Sequence, residues 1–97
     1  MEKKRFSPKK PFSKRQIRNI PDNKPSVYEL LNRKGDNIYT GIAKRDRVQD
    51  RLEEHLPGAK DSVPGAAGFR IKPMPSIDQA KREEKKIIKR EDPKYNE

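Results

Sequence analysis

The sequence predicts one small α+β domain, an α/β sandwich with a three-stranded antiparallel sheet flanked by helices, behind a disordered basic N-terminal arm. Two patterns support this fold class. Apolar residues alternate along residues 26–43, and after Asp46 and Ser76 they recur about every 3.6 positions. Nine of the 25 basic residues but two of the 15 acidic ones fall in the first 24 positions. We therefore divide the 97 residues into an arm, 1–24, and a domain, 25–97.

The three strands are predicted near residues 26–32, 37–43 and 68–72. Residues 27–31 alternate between two sets of side chains, which is the period of a strand with two different faces. Asn, Asp and Gly residues separate the first two strands and are typical of a turn, so these strands form a hairpin. The third strand is short and lies between a glycine and a proline.

Two helices are predicted near residues 47–56 and 76–91. In the first, apolar residues recur every four positions and Asp46 is the expected N-cap. In the second, Ser76 is the expected N-cap and Asp92, followed by proline, ends the helix. The order of strands and helices indicates a small sheet covered by helices.

The composition excludes several classes of protein and site. The chain has no cysteine, which removes disulfides, thiolate metal sites and thiol nucleophiles together. It has neither an apolar segment long enough to span a membrane nor the apolar region of a signal peptide. We therefore expect no membrane partner, no secretion and an intracellular location, in the cytoplasm or at the nucleoid.

The first 24 residues combine prolines, serines and like charges without a periodic apolar stripe, which predicts a disordered basic arm. Such an arm gains affinity for a polyanion by releasing counterions, and Phe6 and Phe12 would add stacking on exposed bases. A solubilising tail or localisation signal without a specific ligand is the alternative. The basic residues expected to contact nucleic acid are Lys3, Lys4, Arg5, Lys9, Lys10, Lys14 and Arg15.

Polar residues on the helices lie at positions where the patterns predict burial. Glu84 projects between Ala80 and Ile87 on the apolar face of the second helix. A carboxylate there is costly unless it is paired, protonated or bound to metal. Arg51 and His55 lie four positions apart on one face of the first helix. An ion pair between Glu84 and Arg51, and a His55 stabilised by the helix dipole, are the structural alternatives to a functional site.

Six short motifs follow one another along the predicted domain. They are Val27-Tyr28, Tyr39-Thr40-Gly41, Gly41-Ile42-Ala43-Lys44, Arg51-Leu52-Glu53-Glu54-His55, the helical segment around Glu84, and Pro93-Lys94-Tyr95-Asn96. In this order they resemble the motifs of the GIY-YIG nuclease family over about residues 25–97. Ser26 stands where the first motif has glycine. Arg51 follows Gly41 at a longer distance than is common, which leaves Arg47 as the alternative.

The resemblance implies a metal-dependent endonuclease that hydrolyses phosphodiester bonds in DNA. Glu84 would hold a single Mg²⁺ or Mn²⁺ ion, with water and phosphate completing the shell. Tyr28 would be the general base or would orient the attacking water, its pKa lowered by nearby cations such as Lys44. Arg51 would clamp the phosphate with its planar fork of donors.

The resemblance also implies supporting residues and partners. Tyr39 and His55 would hydrogen-bond the phosphate or assist in activating the nucleophile, and Asn96 would tie the C-terminus to the site. DNA would be recognised by its shape or through a separate protein partner, in a role such as DNA repair or recombination. A catalytically inactive nucleic-acid-binding module of the same fold is the alternative. An interaction protein whose arm binds an acidic partner is a third interpretation.

Overall fold

The structure, a computed structural model, describes residues 6–96. Its elements are β1 (Lys10–Pro11), α1 (Lys14–Arg18), β2 (Ser26–Leu31), β3 (Asn37–Ala43), α2 (Val48–Glu53), β4 (Gly68–Pro73) and α3 (Ile77–Glu91). All three predicted strands and both predicted helices are present, and α2 is shorter than expected. Within the described residues, no helix is long and apolar enough to cross a membrane.

The sheet has four antiparallel strands rather than the three predicted, in the order β1-β4-β2-β3. The additional strand pairs Lys10 with Phe69 and Pro11 with Gly68. It escaped prediction because two residues are too few to show an alternating pattern. The α+β class with an antiparallel sheet is otherwise confirmed.

The disorder predicted for the N-terminal arm is not confirmed. Ile17 and Ile20 are buried and lie in the same core cluster as the sheet residues. Phe12 packs edge-on against Phe69 with ring centroids 6.0 Å apart, and Phe6 packs against a second cluster. Both rings that we expected to stack on bases are therefore engaged in packing. The sequence does not show this, because the apolar partners lie far along the chain.

Helices cover both faces of the sheet. Tyr28 and Leu30 face the cluster that contains α1 and α2, whereas Val27 faces the cluster that contains Ala80 and Ile87 of α3. All six residues of β2 are consequently buried. This arrangement places the odd and even residues of the central strand in two separate cores.

The first turn of α2 is capped by a distant residue, Asp22. Its Oδ1 atom accepts hydrogen bonds from the backbone N–H groups of Val48 at 2.7 Å and Gln49 at 3.2 Å. The expected N-cap, Asp46, instead has a left-handed backbone with φ of 68°, and Arg47 takes the N-cap position without a side-chain bond. The N-terminal segment thus fixes the helix that carries the predicted phosphate clamp.

Both ends of α3 agree with the sequence prediction. The Ser76 hydroxyl accepts a hydrogen bond from the backbone N–H of Gln79 at 3.2 Å. Asp92 forms the C-cap in the left-handed conformation, and its N–H donates to the carbonyl of Ile88 at 2.8 Å. These caps satisfy backbone groups that a helix leaves unpaired at its ends.

Replacing Asp22 with alanine is expected to destabilise the fold by about 1 kcal/mol, because the first N–H groups of α2 lose their acceptor. In a domain of this size, that loss lowers the thermal midpoint by about 4–8 °C. Asp22→Asn keeps the Oδ1 acceptor and should retain most of the stability. Equal losses in both variants, measured by thermal unfolding, would contradict the capping role.

Candidate active site

Tyr28 and Tyr39 lie on the same face of the β2–β3 hairpin. In the register, Tyr28 is opposite Gly41 and Leu30 is opposite Tyr39, and residues two apart on a strand share a face. The centroids of the two rings are 6.2 Å apart. Tyr28 is fully buried, whereas Tyr39 is partly exposed. The two tyrosine rings therefore extend from the core to the surface of the domain.

The glycine of the second motif allows Tyr28 to cross β3. A Cβ atom built on Gly41 would lie 2.5 Å from the hydroxyl oxygen of Tyr28 and 2.6 Å from its Cζ atom. Real Cβ atoms do not approach other atoms so closely, so any larger residue at position 41 would displace the ring. The Tyr28 hydroxyl is thereby placed over β3, an outer strand of the sheet.

His55, just beyond α2, lies within hydrogen-bonding distance of the Tyr28 hydroxyl. The imidazole Nδ1 lies 2.8 Å from the backbone carbonyl oxygen of Asp61, and Nε2 lies 2.8 Å from the Tyr28 hydroxyl. A carbonyl oxygen only accepts, so Nδ1 carries the proton and a neutral Nε2 accepts from Tyr28. Burial lowers the pKa of His55, which favours this neutral form.

The pKa of Tyr28 is raised, not lowered as the sequence analysis expected. Burial of the phenol is the largest cause, Tyr39 adds to it, and Arg51 opposes it. Lys44, the cation expected to lower the pKa, is exposed beyond the end of β3. Tyr28 is therefore a protonated donor at neutral pH, and it needs a proton acceptor such as His55 to serve as a base.

Arg51 faces the same site and is held by two carboxylates. Its Nη1 atom lies 2.5 Å from Glu54 Oε1 and 3.1 Å from Asp61 Oδ2. The alternative arginine, Arg47, pairs with Asp50 at the surface at 3.3 Å. Arg51, unlike Arg47, lines a cleft together with Tyr39 and His55, so the geometry favours Arg51 as the candidate site arginine.

A cleft of about 450 Å³ opens beside these residues. Tyr39, Arg51, His55, Tyr95 and residues 60–63 line it. The lining combines a guanidinium group with phenol and imidazole groups. The cations Arg51 and Lys60 can donate charge-assisted hydrogen bonds to an anionic ligand such as a phosphate, and the Asp61 carboxylate in the same lining offsets part of their charge.

Glu84 is half-buried on α3, beside the buried Ala80 and Ile87. Burial raises the pKa of its carboxyl group, with Lys85 acting in the opposite direction. The ion pair with Arg51 considered as an alternative does not form, and Glu84 has no hydrogen bond or ion pair to any residue from 6 to 96. It is also not among the described residues that line the cleft.

The carboxylate of Glu84 fits a cation site with one protein ligand. No three or more His, Cys, Asp or Glu side chains in the described part of the chain form a group that could hold a metal. A half-buried carboxylate without a protein partner is nevertheless the oxygen donor that a hard divalent cation binds. Water and substrate phosphate would have to supply the other ligands.

Asn96 ties the C-terminal residues to the outer side of β3. Its side-chain amide donates to the Thr40 carbonyl at 2.8 Å, and its Oδ1 accepts from the Thr40 N–H at 2.7 Å. The neighbouring Tyr95 N–H donates to the carbonyl of Ile38 at 3.0 Å. These bonds flank Tyr39, so Asn96 fixes the strand that carries the second tyrosine.

The basic residues predicted to bind nucleic acid do not line this cleft where they are described, although Lys14 and Arg15 begin α1, which packs against α2. Lys10 belongs to β1, the outer strand opposite β3, and Lys9, Lys14 and Arg15 are exposed near it. The remaining three, Lys3, Lys4 and Arg5, lie outside the described residues.

Two residues of the site were not predicted from the sequence. Glu54 lies three positions after Arg51, a spacing at which helical side chains meet, so this pair had a detectable signal. Asp61 contacts both Arg51 and His55 from an irregular loop. No periodic pattern marks a loop residue that acts through its backbone carbonyl.

The fold is similar to that of solved endonuclease domains. The GIY-YIG N-terminal endonuclease domain of UvrC from Thermotoga maritima, bound to its catalytic divalent cation, magnesium, is 28% identical with a TM-score of 0.70 over 87% of this chain and 96% of that chain. A tyrosine-to-phenylalanine variant with its catalytic divalent cation is 27% identical, with a TM-score of 0.70 and the same coverage. An asparagine-to-alanine variant is 25% identical, with a TM-score of 0.69 over 87% and 94%.

Neither a protein-family model nor a curated protein matches the chain by sequence. The structural likeness nevertheless extends over most of this chain and almost all of the solved domains. It agrees with the order of the sequence motifs and with the tyrosine pair on the hairpin. The chain therefore folds as a GIY-YIG domain.

Proposed function

We propose that this protein is a metal-dependent endonuclease that hydrolyses phosphodiester bonds in DNA. The observation that carries the proposal is the buried hydrogen bond from Tyr28 to His55, beside Arg51, in a fold shared with a magnesium-bound endonuclease domain. A buried phenol with a neutral imidazole acceptor is a means of moving a proton, which hydrolysis requires.

Tyr28 and His55 would activate the water together. As the water oxygen attacks phosphorus, its proton passes to the Tyr28 oxygen while the Tyr28 proton passes to His55 Nε2. The transfer avoids a free tyrosinate, which the raised pKa of Tyr28 makes costly. Asp61 keeps the imidazole in the required tautomer through its backbone carbonyl.

Arg51 would stabilise the negative charge that develops on the phosphate, and Tyr39 would hydrogen-bond the same group. The bond from phosphorus to the 3′ oxygen breaks, that oxygen gains a proton from solvent, and His55 releases its extra proton to solvent. The products are a 5′ phosphate and a 3′ hydroxyl. Asn96 acts as a positioning residue, because it holds the β3 backbone next to Tyr39.

Glu84 would hold the divalent cation, Mg²⁺ or Mn²⁺, through its half-buried carboxylate. When bound, the cation neutralises phosphate charge and stabilises the leaving oxygen. The magnesium-bound endonuclease domain of UvrC supports a cation in this fold. The unpaired Glu84 carboxylate supports its position in this chain.

Incubation of the full chain with supercoiled plasmid, linear DNA and branched DNA tests this function. We expect cleavage with Mg²⁺ or Mn²⁺, none with EDTA, and ends that carry a 5′ phosphate. DNA binding without metal-dependent cleavage on all three substrates would contradict the proposal. That result would favour the inactive nucleic-acid-binding module, an alternative supported by the engagement of Arg51 with two carboxylates.

We further propose that the basic arm adds non-specific affinity for DNA. Deleting residues 2–5 removes Lys3, Lys4 and Arg5 but leaves β1 intact. Each phosphate neutralised contributes a slope of about −0.9 in log K against log salt, so the deletion should make the slope shallower by about 2.7. Fluorescence anisotropy with a labelled duplex measures it. An unchanged slope would mean that these residues serve another purpose.

Recognition of the target is proposed to depend on DNA shape or on a separate protein partner, because contacts to phosphates carry no sequence information. A role in DNA repair or recombination, at the nucleoid or in the cytoplasm, belongs to the same proposal. Faster cleavage of branched than of linear DNA would support recognition of the target by its shape.

A further inference from the structure

The exposed surface of α3 carries a stripe of positive charge. Lys81, Lys85 and Lys89 follow one another at intervals of four residues, and Arg82 and Lys86 lie beside them. All five are exposed, and none forms an ion pair with a residue from 6 to 96. We call these residues the α3 stripe. Repulsion between like charges on one helix is unfavourable unless an anionic partner offsets it.

Contacts of α3 with the sheet show which way the stripe faces. Glu83 pairs with Lys72 of β4 at 2.9 Å, which marks the side of the helix nearest β4. Lys81 and Lys85 are each two positions from Glu83, so they project about 160° away from it. Because the strand order is β4-β2-β3, Lys81 and Lys85 lie towards the outer edge of β3, whereas Arg82 and Lys86 line a shallow cleft together with Glu83.

The outer edge of β3 is also where the candidate chemistry lies. The Tyr28 hydroxyl crosses over Gly41 of β3 on the face that α2 covers, and Glu84 lies next to Lys85 on α3, which covers the opposite face. The basic residue of β1, Lys10, by contrast, lies at the opposite edge of the sheet, about 14 Å away at the usual spacing between strands.

We infer that the α3 stripe binds the phosphate backbone of duplex DNA, with Lys81 and Lys85 holding it along the β3 edge of the domain. The inference rests on the proposed function and adds the surface on which the substrate lies. From Lys81 to Lys89 the helix rises about 12 Å, a length that matches about three phosphate steps of one strand. The positive charge of the α3 stripe favours a polyanion as its partner. The candidate catalytic groups of the same domain indicate that this polyanion is DNA.

Two double variants with equal charge loss test the inference. Lys81→Gln with Lys85→Gln removes two cations from the α3 stripe and keeps good helix formers. Arg33→Gln with Lys34→Gln removes two exposed cations from the turn between β2 and β3. Binding of the full chain to a labelled duplex is measured by anisotropy over a range of salt concentrations, with EDTA present so that no DNA is cut.

The α3 variant is expected to make the slope of log K against log salt shallower by about 1.8, and the turn variant by less than half of that. Lys81→Arg with Lys85→Arg should restore the wild-type slope, because it restores the charge. If wild-type protein cleaves duplex DNA but the α3 variant makes the slope no shallower than the turn variant does, this inference is overturned and the proposed function stands. If wild-type protein does not bind duplex DNA, both are overturned.

Discussion

Replacing Glu84 with glutamine is expected to abolish cleavage while DNA binding persists. Glutamine keeps the size and hydrogen-bonding capacity of the side chain but removes the charge that attracts a divalent cation. Loss of the cation removes stabilisation of the phosphate and the leaving oxygen. We expect the rate to fall about 100-fold or more, which corresponds to about 2.7 kcal/mol in the barrier.

Glu83→Gln provides a matched control on the same helix. Glu83 is also half-buried, but it pairs with Lys72 and faces β4. Glutamine keeps a side-chain oxygen that can still accept a hydrogen bond from Lys72, so cleavage should change little. Calorimetric titration with Mg²⁺ or Mn²⁺ should show binding in the control and none in Glu84→Gln. Divalent-ion binding and cleavage that survive Glu84→Gln would remove Glu84 from the metal site.

The β2–β3 hairpin could be predicted from the sequence because the pattern that defines it lies within neighbouring residues. The period of two in the sequence places Tyr28 on one face of β2, and the turn length sets the register that brings Tyr39 beside it. The same local logic located the two caps of α3 at Ser76 and Asp92. Predictions of this kind need only the residues within a few positions of the one in question.

The N-terminal structure was not predictable because its stabilising contacts are distant. Ile17 and Ile20 form no apolar stripe of their own, and they are buried only because other elements cover them. Asp22 caps a helix that begins 26 residues later. A composition rich in charge and proline therefore indicated disorder where tertiary packing supplies order.

Burial also changed the electrostatics that charge counting suggested. Glu29 shares a face of β2 with Val27 and Leu31 and is buried, and its Oε1 pairs with Arg70 at 2.7 Å. Burial raises the pKa of Glu29, as it raises that of Tyr28. The sequence shows nearby cations but not the desolvation that outweighs them.

Replacing Tyr28 with phenylalanine is expected to lower the cleavage rate about 100-fold or more, within the range typical of lost acid–base catalysis. The substitution removes only the hydroxyl, so the ring still packs over Gly41 and against the core. His55 Nε2 loses its donor. Single-turnover cleavage at saturating DNA measures the chemical step, and Tyr39→Phe should show a smaller loss because its hydroxyl does not make this bond.

The pH dependence of the rate distinguishes a Tyr28–His55 proton transfer from a packing effect. His55 accepts a proton only when neutral, and burial lowers its pKa. The wild-type rate should therefore rise as the pH increases through the lowered pKa of His55. It should already have reached its plateau at about pH 6.5, the ordinary pKa of histidine. Tyr28→Phe should lose this rise. If cleavage survives Tyr28→Phe but is lost in Glu84→Gln, the metal assignment stands and the base is His55 or Tyr39 acting without Tyr28.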